Sequence, residues 1–164
     1  MKYAELFCQT NFSFLSGASH AEELILQADF LRYHSLAITD ECSVAGVVRA
    51  YTAMNQHQLA IKLIIGSMFW LNQECQVVLL CPNREAYAEL CRIITNARRR
   101  SEKGQYQLSE WDLMSVKHCL LLWLPSDKPS DRKWGQWLAQ YHNHRLWLGV
   151  QRHLDAKDKA YLQH

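Results

Sequence analysis

The sequence predicts an α/β fold, and three observations carry the prediction. Short apolar runs bounded by turn residues recur along the chain, as strands require. Segments with apolar residues at helical spacing lie between most of them. The stretch from Leu36 to Val47 then joins the two kinds of element: Leu36-Ala37-Ile38 reads as a strand buried on both faces, Asp40-Glu41 as a turn, and Ser43 as the N-cap of a helix. Strands alternating with helices argue for a largely parallel sheet, open or barrel-like. Ligands in such folds bind at the carboxyl ends of strands, so Asp40 and Glu41 should border any site.

In chain order, residues 3–8 form a first strand and 11–17 a turn-rich loop. Ser19 and Glu22 fit a capping box, which opens a helix with Leu24, Ile25, Ala28 and Leu31 inward. The second strand is 36–39, and a second helix over 44–56 turns Val44, Val47, Val48 and Tyr51 inward. Two strands follow, 61–71 and 76–81, joined by a hairpin at 72–75. Pro82-Asn83 starts a third helix with Tyr87, Leu90, Cys91, Ile94 and Ala97 inward; 101–107 is a polar loop. A strand over 119–124, a helix over 131–141, a strand over 146–150 and a helix over 156–164 complete the chain. That last helix lacks a stop signal, which predicts a fragment of a longer domain.

Composition narrows the class. The 164 residues are 49% apolar, enough for one core. The net charge of +2 selects no partner. No apolar run reaches the length of a membrane span, and no basic segment precedes a long apolar one at the N-terminus, so a cytoplasmic protein without membrane contact is expected. The six cysteines form no CxxC pair, which predicts buried free thiols. Phosphate-loop, Walker and Ser-His-Asp patterns are absent.

Several blocks resemble one family: 11–20 (Asn-Phe-Ser-Phe-Leu-Ser-Gly-Ala-Ser-His), 36–50, Leu63-Ile64-Ile65-Gly66, Val78-Leu79-Leu80 and 94–100. Together they resemble the PHP domain (polymerase and histidinol phosphatase) that opens bacterial C-family DNA polymerase III α subunits, and the error-prone branch most closely. The resemblance implies a partial distorted (β/α) barrel of PHP type, with residues 1–164 the N-terminal portion of that domain. It also implies a parent polymerase used in damage-induced mutagenesis and translesion synthesis, a nucleotidyltransferase with Mg²⁺ in a palm domain that is not seen here. Implied partners are the remaining polymerase domains and, through them, DNA, deoxynucleotides and other mutasome proteins. An unclosed barrel edge predicts self-association of the segment.

PHP enzymes are similar to metal-dependent phosphoesterases whose His and carboxylate side chains hold divalent ions. At the implied ligand positions this chain carries Phe7, Gln9, Asp40, Glu41 and Met68. Phe7 cannot ligate, an amide oxygen is a weak ligand, and a thioether suits only soft metals. Asp40 then reads as a turn carboxylate accepting N–H groups. This segment is expected to hold no cofactor and to act as a non-catalytic scaffold. An active phosphoesterase or proofreading 3′-5′ exonuclease is the alternative, and a free-standing interaction module the second. Arg92, Arg98, Arg99, Arg100 and Lys103 offer contacts to nucleic-acid phosphate or a neighbouring domain, although cations also suit a helix C-terminus. His142-Asn143-His144 reads as a surface loop before a strand, and Trp134, Trp137 and Tyr141 as a core-facing stripe.

Overall fold

A computed structural model describes residues 2–126, 128–151 and 158. Among these, six strands are β1 (Ala4–Glu5), β2 (Ser35–Ile38), β3 (Lys62–Leu71), β4 (Cys75–Cys81), β5 (Leu120–Leu124) and β6 (Leu146–Leu148). Five helices are α1 (Ala21–Phe30), α2 (Ala45–Gln56), α3 (Arg84–Arg99), α4 (Glu110–Met114) and α5 (Asp131–His142). The expected helix over 156–164 lies outside the described residues, Asp158 aside.

The strands lie side by side in chain order. The pairs β1–β2, β2–β3 and β5–β6 are parallel; β3–β4 and β4–β5 are antiparallel. The sheet is therefore mixed rather than uniformly parallel, because a tight hairpin can only join antiparallel neighbours. Its turn puts Asn72 and Gln73 at φ 52° and 59°.

Side-chain alternation divides two packed layers. Val77, Leu79 and Leu121 point to the helix-covered face and pack with Leu90, Ile93 and Leu138 of α3 and α5. A neighbouring cluster joins Ile25 and Ala28 of α1 to Leu36, Ile38, Val47, Ala50 and Ala53. Val78, Leu80, Leu122 and Leu124 point the other way, with Ala37 and Met68. Residues of both edge strands, β1 and β6, line one cavity of about 1150 Å³ over that second face, so the sheet curls into a half-barrel.

Several local expectations shift. The reciprocal cap of α1 lies one residue later: His20 N–H donates to Glu23 Oε at 2.8 Å, and Glu22 instead pairs with Arg49. Helix α2 buries Gly46, Val47, Ala50 and Ala53, leaving Val48 and Tyr51 exposed. Small residues face α1 and the second strand end because the backbones approach closely there. Helix α3 buries Ala86, Glu89, Leu90, Ile93 and Ala97, a face rotated from the expected one, and Tyr87 is exposed. The rotation follows from Glu89, a buried carboxylate that accepts the N–H groups of Lys117, His118 and Cys119 at 2.7, 3.0 and 2.9 Å. Strands β1 and β6 are shorter than expected, and α4, with Ser109 and Asp112 as its reciprocal cap, lies in a stretch given no element.

Candidate functional site

The carboxyl ends of β1, β2 and β3 converge on Asp40. Thr39 extends the β1–β2 pairing, with its N–H on Cys8 O at 2.8 Å. The chain then turns, and Glu41 bridges to Met68. Cys42 N–H reaches Met68 O at 2.8 Å, and Met68 N–H reaches Asp40 O at 3.2 Å. Ser67 hydroxyl donates to Asp40 O at 2.8 Å and accepts Ser43 N–H at 3.0 Å. Ser43 was expected to cap α2, but Val44 takes the N-cap position without a side-chain cap; Ser43 lies one residue earlier, its oxygen accepting Ala45 N–H at 3.1 Å.

Asp40 is 0% exposed. Its Oδ1 accepts Thr10 N–H at 2.8 Å, Thr10 hydroxyl at 3.0 Å and Ser13 hydroxyl at 2.7 Å; Thr10 hydroxyl also lies 2.9 Å from Oδ2. Turn backbone was expected to satisfy Asp40. Instead two hydroxyl side chains about 30 residues upstream carry most of the load, with one backbone N–H. A Cβ at Gly46 would lie 2.6 Å from Asp40 Oδ2, so α2 can start here only with glycine at that position.

Glu41 is occupied from the other side. Its Oε1 accepts the Tyr106 phenol at 2.7 Å, and the same phenol oxygen accepts Trp70 N–H at 2.9 Å. Burial first, then Glu41, hold the Tyr106 phenol far above its ordinary value, against the opposing Trp70 N–H. Arg98 lies over the Tyr106 ring, 5.5 Å from its centre, and donates to the Cys42 and Glu41 carbonyls at 3.2 and 3.4 Å. Burial pushes the Cys42 thiol up to about 11, with Arg98 opposing.

The remaining positions diverge. Phe7 lines the half-barrel cavity, and Met68 packs on its inner face. Gln9 is half-buried, with Nε2 unpartnered among the described residues. Among the described residues, no three His, Cys, Asp or Glu side chains group so as to hold an ion.

The basic residues do not form one patch. Arg98 is turned inward, and Arg100 pairs with buried Asp112. Arg92, Arg99 and Lys103 are exposed. The expected His142–His144 surface loop is corrected: His142 ends α5 and is buried, while His144 is exposed. Burial drives the His142 imidazole below its ordinary value, helped by Arg145. Of the aromatic stripe, Trp134 is core, Trp137 packs against it, and Tyr141 is exposed.

Sequence reasoning missed Thr10, Ser13, Ser67 and Tyr106. Two hydroxyls straight after the first strand were a readable signal. Tyr106 lies 65 positions from Glu41, and nothing local marks it.

Beside the site, the loop over 11–17 presents Phe14 and Leu15 to solvent, 85% and 92% exposed, with Val48 and Tyr51 exposed on α2. Arg49 of α2 lies 5.6 Å from the Phe12 ring centre, which ties helix and loop together. Leu15 is held at φ 63°, and Ser16 and Gly17 N–H both reach Ser13 O.

The PHP domain family matches residues 5–153. The chain is similar to proteins named error-prone DNA polymerase. It is 72% identical to that of Vibrio parahaemolyticus serotype O3:K6 over 164 residues, all of this chain and 16% of the relative. It is 47% identical to that of Pseudomonas aeruginosa over 161 residues, 98% of this chain and 15% of the relative. The chain thus spans about one sixth of the length of these relatives. A solved structure from Bifidobacterium adolescentis, described as a metal-dependent phosphoesterase, superposes with a TM-score of 0.55 at 14% identity, over 90% of this chain and 86% of that one. That likeness concerns the fold.

Proposed function

The chain belongs to the PHP domain family, and on that premise we propose that it is the N-terminal portion of the PHP domain of an error-prone DNA polymerase, serving there as a non-catalytic scaffold. The observation that carries the reading is the Asp40 carboxylate, taken up by Thr10 and Ser13. A cluster of hard divalent ions needs several free carboxylate or imidazole donors. The donor set here does not fit one: Phe7 and Met68 offer no hard ligand, and Glu41 is committed to Tyr106. Asp40 instead anchors the loop that displays Phe14 and Leu15.

The scaffold's partners are the remaining domains of the polymerase chain, docking on Phe14, Leu15, Val48 and Tyr51. Exposed apolar side chains held on a fixed loop suit a permanent contact. Catalysis of nucleotide addition, with Mg²⁺, DNA and deoxynucleotides, belongs to those domains, as do contacts to other mutasome proteins. Arg92, Arg99 and Lys103 are exposed and offer contacts to phosphate or a neighbouring domain. Among the described residues no helix is long and apolar enough to cross a membrane.

A hydrolysis assay tests the reading. The protein is incubated with single-stranded DNA and with an aryl phosphodiester in the presence of Mn²⁺ or Zn²⁺. The scaffold reading expects no turnover above the metal-only blank. Metal-dependent hydrolysis lost in Asp40→Asn would instead establish the phosphoesterase alternative.

A further inference from the structure

We infer that Cys81 and Cys119 form a cross-strand dithiol that a small disulfide such as oxidised glutathione converts into a β4–β5 disulfide. All six cysteines are free thiols. The antiparallel register of β4 and β5 runs from Gln76↔Leu124 to Leu80↔Leu120. One further step on each strand places Cys81 opposite Cys119. Both thiols point to the helix-covered face, since Cys119 belongs to that core and Cys81 packs against it.

The pair has the right kind of spacing. Cys119 N–H is taken by Glu89 Oε2 at 2.9 Å, so it does not donate to Cys81 across the ladder. Opposed residues that do not exchange backbone hydrogen bonds bring their Cα atoms to about 4.5 Å, within the roughly 4.4–6.8 Å that a disulfide spans. The neighbouring Cys81 thiol, ahead of burial, holds the Cys119 thiol above its ordinary value, and Cys119 donates its S–H to Ala86 O at 3.3 Å. Glu89 fixes the backbone at Lys117, His118 and Cys119, so the second cysteine is held in place before any reaction.

Access differs between the two. Cys119 is 0% exposed, whereas Cys81 is only half-buried. Cys81 therefore meets the oxidant first. Its thiolate attacks one sulfur of the small disulfide, forming a mixed disulfide and expelling one small thiolate. Cys119 gives its proton to that thiolate and attacks the Cys81 sulfur, expelling the second small thiolate, which takes up the proton that Cys81 released. Two protein thiols are oxidised, and one small disulfide is reduced to two thiols.

The test is alkylation and peptide mapping after incubation of the native protein with oxidised glutathione. The expected result is that two of the six thiols escape alkylation and Cys81 and Cys119 appear in one disulfide-linked peptide pair, reversible by dithiothreitol. Cys91→Ser should leave the link intact, and Cys81→Ser should abolish it. Six alkylated thiols, a lasting glutathione adduct on Cys81, or a link from Cys81 to Cys91 would each overturn the proposal. The wild-type map decides even where a variant fails to fold.

Discussion

Ser13 donates its hydroxyl to Asp40 Oδ1 at 2.7 Å and accepts Glu41 N–H at 3.0 Å, so one side chain ties the loop after β1 to the turn after β2. The carboxylate at the most ligand-like position of the sheet thereby becomes a structural anchor.

Asp40→Asn keeps the volume and removes the charge that Thr10 and Ser13 address. One amide group then faces a backbone N–H it cannot accept through nitrogen. Hydrogen bonds to charged groups each contribute about 1.5–3 kcal/mol, and the variant should lose at least about 2 kcal/mol in urea unfolding. A variant as stable as the parent would show that the carboxylate is idle in the fold.

Gly17 closes the same loop. A Cβ there would stand 2.0 Å from Thr10 O, a backbone atom that cannot step aside cheaply. Gly17→Ala should cost about 1–3 kcal/mol, the usual range for overpacking. It should also loosen the loop, raising amide exchange at 11–16 more than in β4.

Leu15 is a branched apolar residue in the left-handed region and almost fully exposed. Neither feature helps an isolated domain. Leu15→Asn, better suited to that backbone, should leave the chain as stable or slightly more stable. If Leu15 is a docking residue, the same change in the full-length polymerase should weaken contact between this domain and the rest, read as faster proteolytic release. Unchanged release would move the docking surface elsewhere.

Acid should destabilise the fold in two stages. Burial lowers His142 below its ordinary 6.5, so the unfolded chain binds that proton first and stability declines as pH falls from about 6.5. Burial raises Glu89 and Asp112, but backbone N–H groups outweigh it at Glu89, and Arg100 with Ser109 outweighs it at Asp112. Both carboxyls end below their ordinary 4.5 and 3.8. Their contribution is complete above those values and is lost as pH falls through the lower folded ones. Unfolding midpoints against pH should show both stages, and Glu89→Gln should flatten the lower one.

Much of this architecture could be read in the sequence, because the signals are local. The run at Leu36–Ile38, the hairpin turn at Asn72-Gln73 and the cap at Asn83 each act within a few residues. The phases of α2 and α3 could not be read that way. Apolar periodicity put Val48 and Tyr51 inward, yet close approach selects Gly46, Ala50 and Ala53, and a buried Glu89 rotates α3. At the site, Asp40 and Glu41 lie at a strand end as expected. Their partners come from Thr10, Ser13 and Tyr106, distances in sequence that no spacing rule spans. Arg98 reads as one of a basic run, but its position on the helix turns it toward Cys42 O.

Metal stoichiometry tests the central claim most directly. The protein is dialysed against Mn²⁺ and Zn²⁺, passed through a desalting column and analysed for metal content beside Asp40→Asn. An Asp40 committed to Thr10 and Ser13 predicts no retained metal in either sample. One or more tightly held equivalents in the parent protein, lost in Asp40→Asn, would contradict it.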